Sequence, residues 1–268
     1  MDQKDIIAHL KAELSSYDGL GGLFLAGSFG NETADQYSDV DFVAVLDRDD
    51  DHRPFVAHWK ATLENAIEIV FWNQFGTGPF LLNAVAENWL RVDLITTTEG
   101  AFRNRSRDGV VPLIDANDLH GQLSTQAVPM PPSKEKIAAT ISEFIRVLGL
   151  LHVAIGRGEF YTGVVGAGLQ RDHILALLKA RGVSDSSGGA LHLSKDISDA
   201  DMQLLCALPY PGPTRAELIK AHAEMARVFF PLARQISSDL DLAFPEAFLA
   251  ATRNVLKAQL GEEFDISW

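Results

Sequence analysis

The sequence predicts an α+β protein, a mixed β-sheet with flanking helices followed by a separate all-helical bundle. Two features of its layout carry this prediction. Up to residue 96, short apolar runs of strand length alternate with helix-spaced segments, in the order helix, strand, helix, strand, helix, then further strands. After Gln126-Ala127-Val128-Pro129-Met130-Pro131-Pro132-Ser133, where the prolines favour an extended linker, the apolar spacing becomes helical. Two domains follow, residues 1–128 and residues 134–268.

Ile6, Ile7, Leu10 and Leu14 recur at helical spacing over residues 3–16, and Asp18-Gly19-Leu20-Gly21-Gly22 breaks that helix. Leu23 to Ala26 has the length of a short buried strand. Ser28 to Asp35 leaves room for about two helical turns. Val40 to Leu46 is the second strand, ended by Asp47 to Asp51. Phe55 to Ala66 reads as a helix with Pro54 near its start. Ile67 to Trp72 is a third strand, and Phe80 to Ala86 and Leu90 to Thr96 are two more around Glu87-Asn88. In the second domain, Lys134 to Ile155, His173 to Arg181, Arg215 to Ile236 and Glu246 to Leu260 carry helix-spaced apolar residues, with loops at Ser184 to Gly189 and Tyr210 to Pro213.

Bulk properties narrow the class of protein. The net charge is −13, from 23 basic and 36 acidic residues, which argues against a general nucleic-acid binder because that needs a basic face. The single cysteine, Cys206, excludes an internal disulfide and a cysteine zinc site. The apolar runs break before the length a bilayer requires, and the first fourteen residues read as an amphipathic helix and not as a secretory signal. A cytoplasmic enzyme acting on small molecules, with no membrane partner, is the expectation.

The chemistry concentrates in residues 27–42, GSFGNETADQYSDVDF, set between the apolar runs LFLA and VAVL. Residues i and i+2 of a strand point to one face, so Asp39 and Asp41 aim both carboxylates the same way. Two anions so close repel, and a hard cation relieves the repulsion; magnesium suits an all-oxygen site. Gly27 lets backbone approach a ligand, and Ser28 adds a hydroxyl. A helix starting there would offer its free N–H groups to a phosphate. Asp93, an acid within the apolar run Leu90-Arg91-Val92-Asp93-Leu94-Ile95, is the third candidate ligand, and a neighbouring strand would bring it beside the other two.

This pattern, Gly27-Ser28, ten residues, Asp39-Val40-Asp41, then Asp93 on a later strand, resembles the nucleotidyltransferase superfamily that includes DNA polymerase beta. The two-domain layout is similar to the bacterial aminoglycoside and lincosamide nucleotidyltransferases. The resemblance implies a catalytic domain over residues 1–128 and a helical substrate-binding domain over 134–268. It also implies transfer of a nucleoside monophosphate, AMP from ATP, to a hydroxyl of a small molecule with release of pyrophosphate. Asp39 and Asp41 would ligate two magnesium ions, and Asp93 the catalytic one beside the attacking hydroxyl. An acidic cleft would draw in a cationic acceptor. Relatives also suggest a homodimer.

In the helical half, Arg157-Gly158-Glu159-Phe160 echoes a stretch of the antibiotic nucleotidyltransferases, and Glu159 is a candidate general base, against the alternative of a surface glutamate. Arg157 and Arg171 are either phosphate contacts or surface charges. Asp93 has a structural alternative, an ion pair with Arg91 or another arginine. Asp47 to His52 reads as a solvated loop feeding a helix, and Trp59, Trp72 and Trp89 as core residues. Two other functions fit the same motif. One is an antitoxin-type enzyme that adenylylates a partner protein, and the other a non-catalytic nucleotide-binding scaffold. Arg146 to His152 loosely resembles the arginine-to-histidine spacing of helical ribonuclease toxins, with Val147 where a polar residue is usual, and reads as a core helix.

Overall fold

The computed structural model describes residues 1–125, 133–181 and 193–264. The chain divides into two compact units, Met1–Val128 and Pro129–Trp268. Most of the proline-rich linker and the expected loop at Ser184 to Gly189 lie outside the described residues.

The first unit is a six-stranded sheet in the order β3-β4-β5-β2-β1-β6. Its strands are β1 (Leu20–Leu25), β2 (Val40–Leu46), β3 (Ile69–Phe75), β4 (Leu81–Ala86), β5 (Arg91–Thr98) and β6 (Val111–Asp115). Only β2 and β5 run parallel; the other neighbours are antiparallel, so the sheet is mixed as the sequence predicts. Helices α1 (Gln3–Leu14) and α3 (His52–Ala66) cover one face. Asp2 caps α1, its side chain accepting from the Asp5 backbone N–H while the Asp5 carboxylate accepts from that of Asp2. Beneath them Ile6, Leu10, Phe55 and Trp59 meet the inward residues of the strands, Phe42, Ala44, Leu82 and Leu94. On the opposite face a smaller cluster covers β1 and β2 alone. There Phe24, Val43 and Val45 pack under Phe102 of the one-turn helix α4 (Glu99–Phe102) and under Val110, Leu119 and Leu123.

Several boundaries differ from the sequence reading. β1 begins at Leu20, because Leu20 and Gly22 pair within the sheet, with a register shift between them at Gly21, instead of ending the preceding helix. Helix α2 (Gly27–Gly30) is one turn where two are expected. Strand β6 went unseen in the sequence because Pro112 interrupts it. A proline lacks the N–H that a central strand needs, and β6 is an edge strand, where that loss is tolerated. Trp59 is buried, but Trp89 sits in the turn before β5 with φ +63° and is exposed, so it is not a core residue. Asp47 to His52 does feed the start of α3, through a single 3-10 turn over Asp49–Asp51.

The second unit is helical: α5 (Lys134–Gly156), α6 (Phe160–Arg181), α7 (Leu193–Asp196), α8 (Asp199–Ala207), α9 (Arg215–Asp239) and α10 (Glu246–Leu260). Helix α6 begins thirteen residues before the expected His173, in a stretch whose glycines mask the helical signal. One of them serves packing: a β-carbon on Gly163 would lie 2.7 Å from Leu218 Cδ1 of α9, so a larger residue there would force the buried Leu218 to shift. His222 of α9 is pushed down to about 4 by burial. It is therefore neutral, and its Nε2–H donates to the Gly163 carbonyl at 3.1 Å. Pro231 lies inside α9, at a cost of about 3 kcal/mol. Phe229, Phe230, Leu232 and Ala233 around it are buried, and at roughly 1.5–3 kcal/mol per large side chain they outweigh that cost. By length and composition alone, helix α5 passes as a membrane span, its most apolar 18-residue stretch having a mean hydropathy of 1.6, which corrects the reading that every apolar run breaks too early. Its Phe144 instead stacks on Phe229 of α9 with ring centroids 3.6 Å apart.

Candidate active site

Parallel pairing of β2 with β5 puts Asp41 directly opposite Asp93. Asp39 precedes Asp41 by two residues on the same side, and all three half-buried carboxylates bring ligand atoms within 4.8 Å of one another. Sequence alone offered these acids as candidates; the strand register is what assembles them.

The glycine turn closes the site from the β1 side. The Ala26 N–H donates to the Asp41 carbonyl at 2.9 Å, tying the end of β1 to the start of β2. The next residue, Gly27, has φ +55°, a left-handed backbone that favours glycine. A β-carbon there would fall 1.9 Å from Asp41 Oδ2. Any side chain would therefore displace the carboxylate. The hydroxyl of Ser28 is buried and has no hydrogen-bond partner among the described residues. One turn of helix is too short to supply the N-terminal anion site that the sequence reading invoked; the features present are the glycine cradle and this hydroxyl.

The electrostatics fit the binding of a cation. Asp41 is pushed up to about 6, first by burial and then by the charges of Asp39 and Asp93, with Arg91 and Arg105 opposing. Asp93 is also raised, chiefly by burial, while a hydrogen bond from the Asn83 side chain pulls the other way. Arg91 is the arginine that the sequence reading weighed as a partner of Asp93. It reaches Asp39 instead, with Nη1 3.3 Å from Oδ2, and its Nη2 donates to the Tyr37 carbonyl at 2.9 Å. One half-exposed ion pair against three clustered acids leaves the repulsion largely uncompensated. The donor set is all oxygen, crowded and short of positive charge, and so fits a divalent metal.

Two contributors were missed in the sequence. Asn83 is the β4 partner of Asp93, a pairing invisible without the strand register. Arg105 follows α4 and is partly buried; burial lowers its pKa while the Asp41 charge raises it. No motif marks Arg105, because it reaches the site by folding back over the sheet. Glu159 lies exposed between α5 and α6, its backbone N–H donating to the Ala154 carbonyl at 2.8 Å. Arg157 is exposed on the same turn. Arg171 is engaged within the helical unit, donating to the Leu208 and Pro209 carbonyls and lying 3.4 Å from the Tyr210 ring centroid. Arg146 pairs with Glu143 on α5, and the neighbouring Val147, Leu148 and Leu151 are buried, as a core helix requires.

The fold and acid cluster define a class, and comparison with known proteins gives it a name. Residues 7–103 match the family model described as Nucleotidyltransferase domain. The chain therefore carries a nucleotidyltransferase domain over these residues. No curated protein sequence matches it. Among solved structures it is similar to an aminoglycoside 6-adenyltransferase from Bacillus subtilis, at 14% identity and a TM-score of 0.45, over 93% of this chain and 95% of that one. A nucleotidyltransferase-like protein from Exiguobacterium sibiricum matches at 12% identity and TM-score 0.33, over 97% and 78%. The Thermotoga maritima CCA-adding enzyme complexed with tRNA matches at 11% and 0.36, over 96% and 71%.

Proposed function

We propose that the protein transfers AMP from ATP to a hydroxyl of a small molecule, in a magnesium-dependent reaction that releases pyrophosphate. The observation that carries this reading is the convergence of Asp39, Asp41 and Asp93 beside Gly27. Asp39 and Asp41 would hold two magnesium ions, with Asp93 completing the ligands of one. Bound there, the ions would supply Lewis-acid stabilisation of charge on the attacking and leaving oxygens.

The chain's own residues do the remaining work. Gly27 keeps the Asp41 carboxylate in place by leaving it room. The unpartnered Ser28 hydroxyl is a donor available to a phosphate oxygen. Arg105 offers positive charge near Asp41, where the triphosphate would lie. The acceptor oxygen bonds to the α-phosphorus, the α–β phosphoanhydride bond breaks, and pyrophosphate leaves with the bonding electron pair. The acceptor's proton passes to a carboxylate, Glu159 of the helical unit or Asp93 of the cluster. Holding the reactants in line accounts for most of the rate.

Mass spectrometry after incubation with ATP, magnesium and an acceptor panel tests the reading. A small molecule heavier by one AMP supports it. AMP on a partner protein supports the antitoxin-type alternative. Bound nucleotide with no transfer to anything supports a scaffold. The −13 net charge favours a small acceptor over nucleic acid. A cytoplasmic location, a homodimer and a role in antibiotic modification belong to the same proposal.

A further inference from the structure

The sheet face that carries the triad has two unlike halves. Over β1 and β2 it is covered, and Val43 there is fully buried. Thr97 keeps the α4 end of β5 buried, but beyond it the cover thins over β5, β4 and β3, whose apolar residues on this face become exposed. Ile95, the register partner of Val43, is 37% exposed. The pairing continues outward from it to Leu81 on β4 and Phe75 on β3, which are 41% and 51% exposed. Beside this apolar row runs a polar one in the same register, from Asp93 to Asn83 to Asn73. Beyond Asp93, the β4 and β3 residues of this face are Leu81, Asn83, Val85, Phe71, Asn73 and Phe75, and none is charged.

Geometry decides which reactant this surface serves, given the transferase reading above, on which the inference rests. The glycine turn and Ser28 lie on the β1 side of the triad, where the triphosphate tail belongs. In-line displacement puts the attacking oxygen opposite the leaving pyrophosphate, hence on the β5 side. A body attached to that oxygen extends over β4 and β3. We propose that this bare half-face seats the acceptor, and that the acceptor is a hydroxyl compound with an apolar face and a hydrogen-bonding edge, not a polycation. Its apolar face covers Ile95, Leu81 and Phe75, and its polar edge meets Asn83 and Asn73. A polycation would need carboxylates along β4 and β3, and the residues of this face on those two strands carry none.

Ligand-observed NMR on the full chain tests this, with magnesium and α,β-methylene-ATP present. The probes are 2-naphthylethanol as the apolar alcohol, glycerol as a small polar one and kanamycin as a polycation. The wild type is expected to bind 2-naphthylethanol at least about tenfold more tightly than the other two. Phe75→Ser and Leu81→Ser should each weaken that binding about tenfold, while calorimetry finds unchanged affinity for magnesium and α,β-methylene-ATP. Both side chains are exposed, so the fold has little reason to suffer, and Trp89→Ser, at an exposed aromatic in the turn between β4 and β5 and outside the two rows, should alter neither affinity. Kanamycin bound in preference, or naphthylethanol binding unmoved by Phe75→Ser and Leu81→Ser, overturns the proposal. So does a wild-type dimer, seen by light scattering, that Phe75→Ser dissociates without changing alcohol binding. Failure of the wild type to bind magnesium and nucleotide would instead sink the transferase reading, and this inference with it.

Discussion

Gly27 and Asp41 compete for one volume: a β-carbon on the first would lie 1.9 Å from Oδ2 of the second. The glycine is thus a condition for the carboxylate's position, not merely for the turn. Gly27→Ala should cost about 1–2 kcal/mol in backbone strain and lower transfer more than about 100-fold by moving Asp41. Thermal melts and steady-state kinetics on the same variant check both numbers. Transfer near the wild-type rate would mean that Asp41 has slack the structure does not show.

On the proposed reading, the triad should trade stability for function. Replacing Asp41 or Asp93 with asparagine should reduce transfer at least about 1000-fold. It should also raise the melting temperature of the metal-free protein, by about 2–4 °C for each kcal/mol of repulsion relieved. A melt in EDTA that is unchanged or lower for both variants would contradict the account of an uncompensated acid cluster.

The sign of the pH dependence follows from Asp41. Its folded-state pKa, about 6, lies above the ordinary carboxylate value of 3.8, so the folded protein holds the proton more tightly than the unfolded chain. Its contribution therefore makes metal-free stability fall as pH rises from about 4 to 6, then level off. Urea denaturation in EDTA across that range should follow this course in the wild type and lose the fall in Asp41→Asn.

Those carboxylates were legible because their chemistry is local: a glycine–serine pair, a fixed spacing and two acids one residue apart at the start of a strand whose limits, Val40 and Leu46, the apolar run marks outright. The third acid was legible as an oddity in an apolar strand. Its partners were not. Asn83 and Asp93 are ten residues apart, and only the antiparallel register of β4 and β5 joins them. Arg91 was weighed as a partner for its strand neighbour, yet its ion pair crosses to β2. Elsewhere, glycine and proline hid regular structure. Gly163 disguised the start of α6, and Pro112 disguised β6, because in both places tertiary packing overrides local propensity.

Arg105 supplies a further check on nucleotide binding. Arg105→Gln should raise KM for ATP about tenfold, as expected for loss of one charge-assisted contact, and Arg105→Lys should recover part of it. An unchanged KM in Arg105→Gln would assign the arginine to structure alone.

For the proton, Glu159→Gln is the informative substitution. It should slow turnover at least about tenfold and leave ATP affinity within about twofold, as loss of a general base does. An unchanged rate would leave the proton to Asp93.

The central claim is that three carboxylates grip a nucleotide's phosphates only through a divalent cation. Calorimetric titration with α,β-methylene-ATP, in magnesium and then in EDTA, tests it most directly. We expect binding in magnesium, a loss of at least about 100-fold in EDTA, and a comparable loss in magnesium for Asp39→Asn. Equal affinity with and without the ion, undisturbed by the substitution, would contradict it.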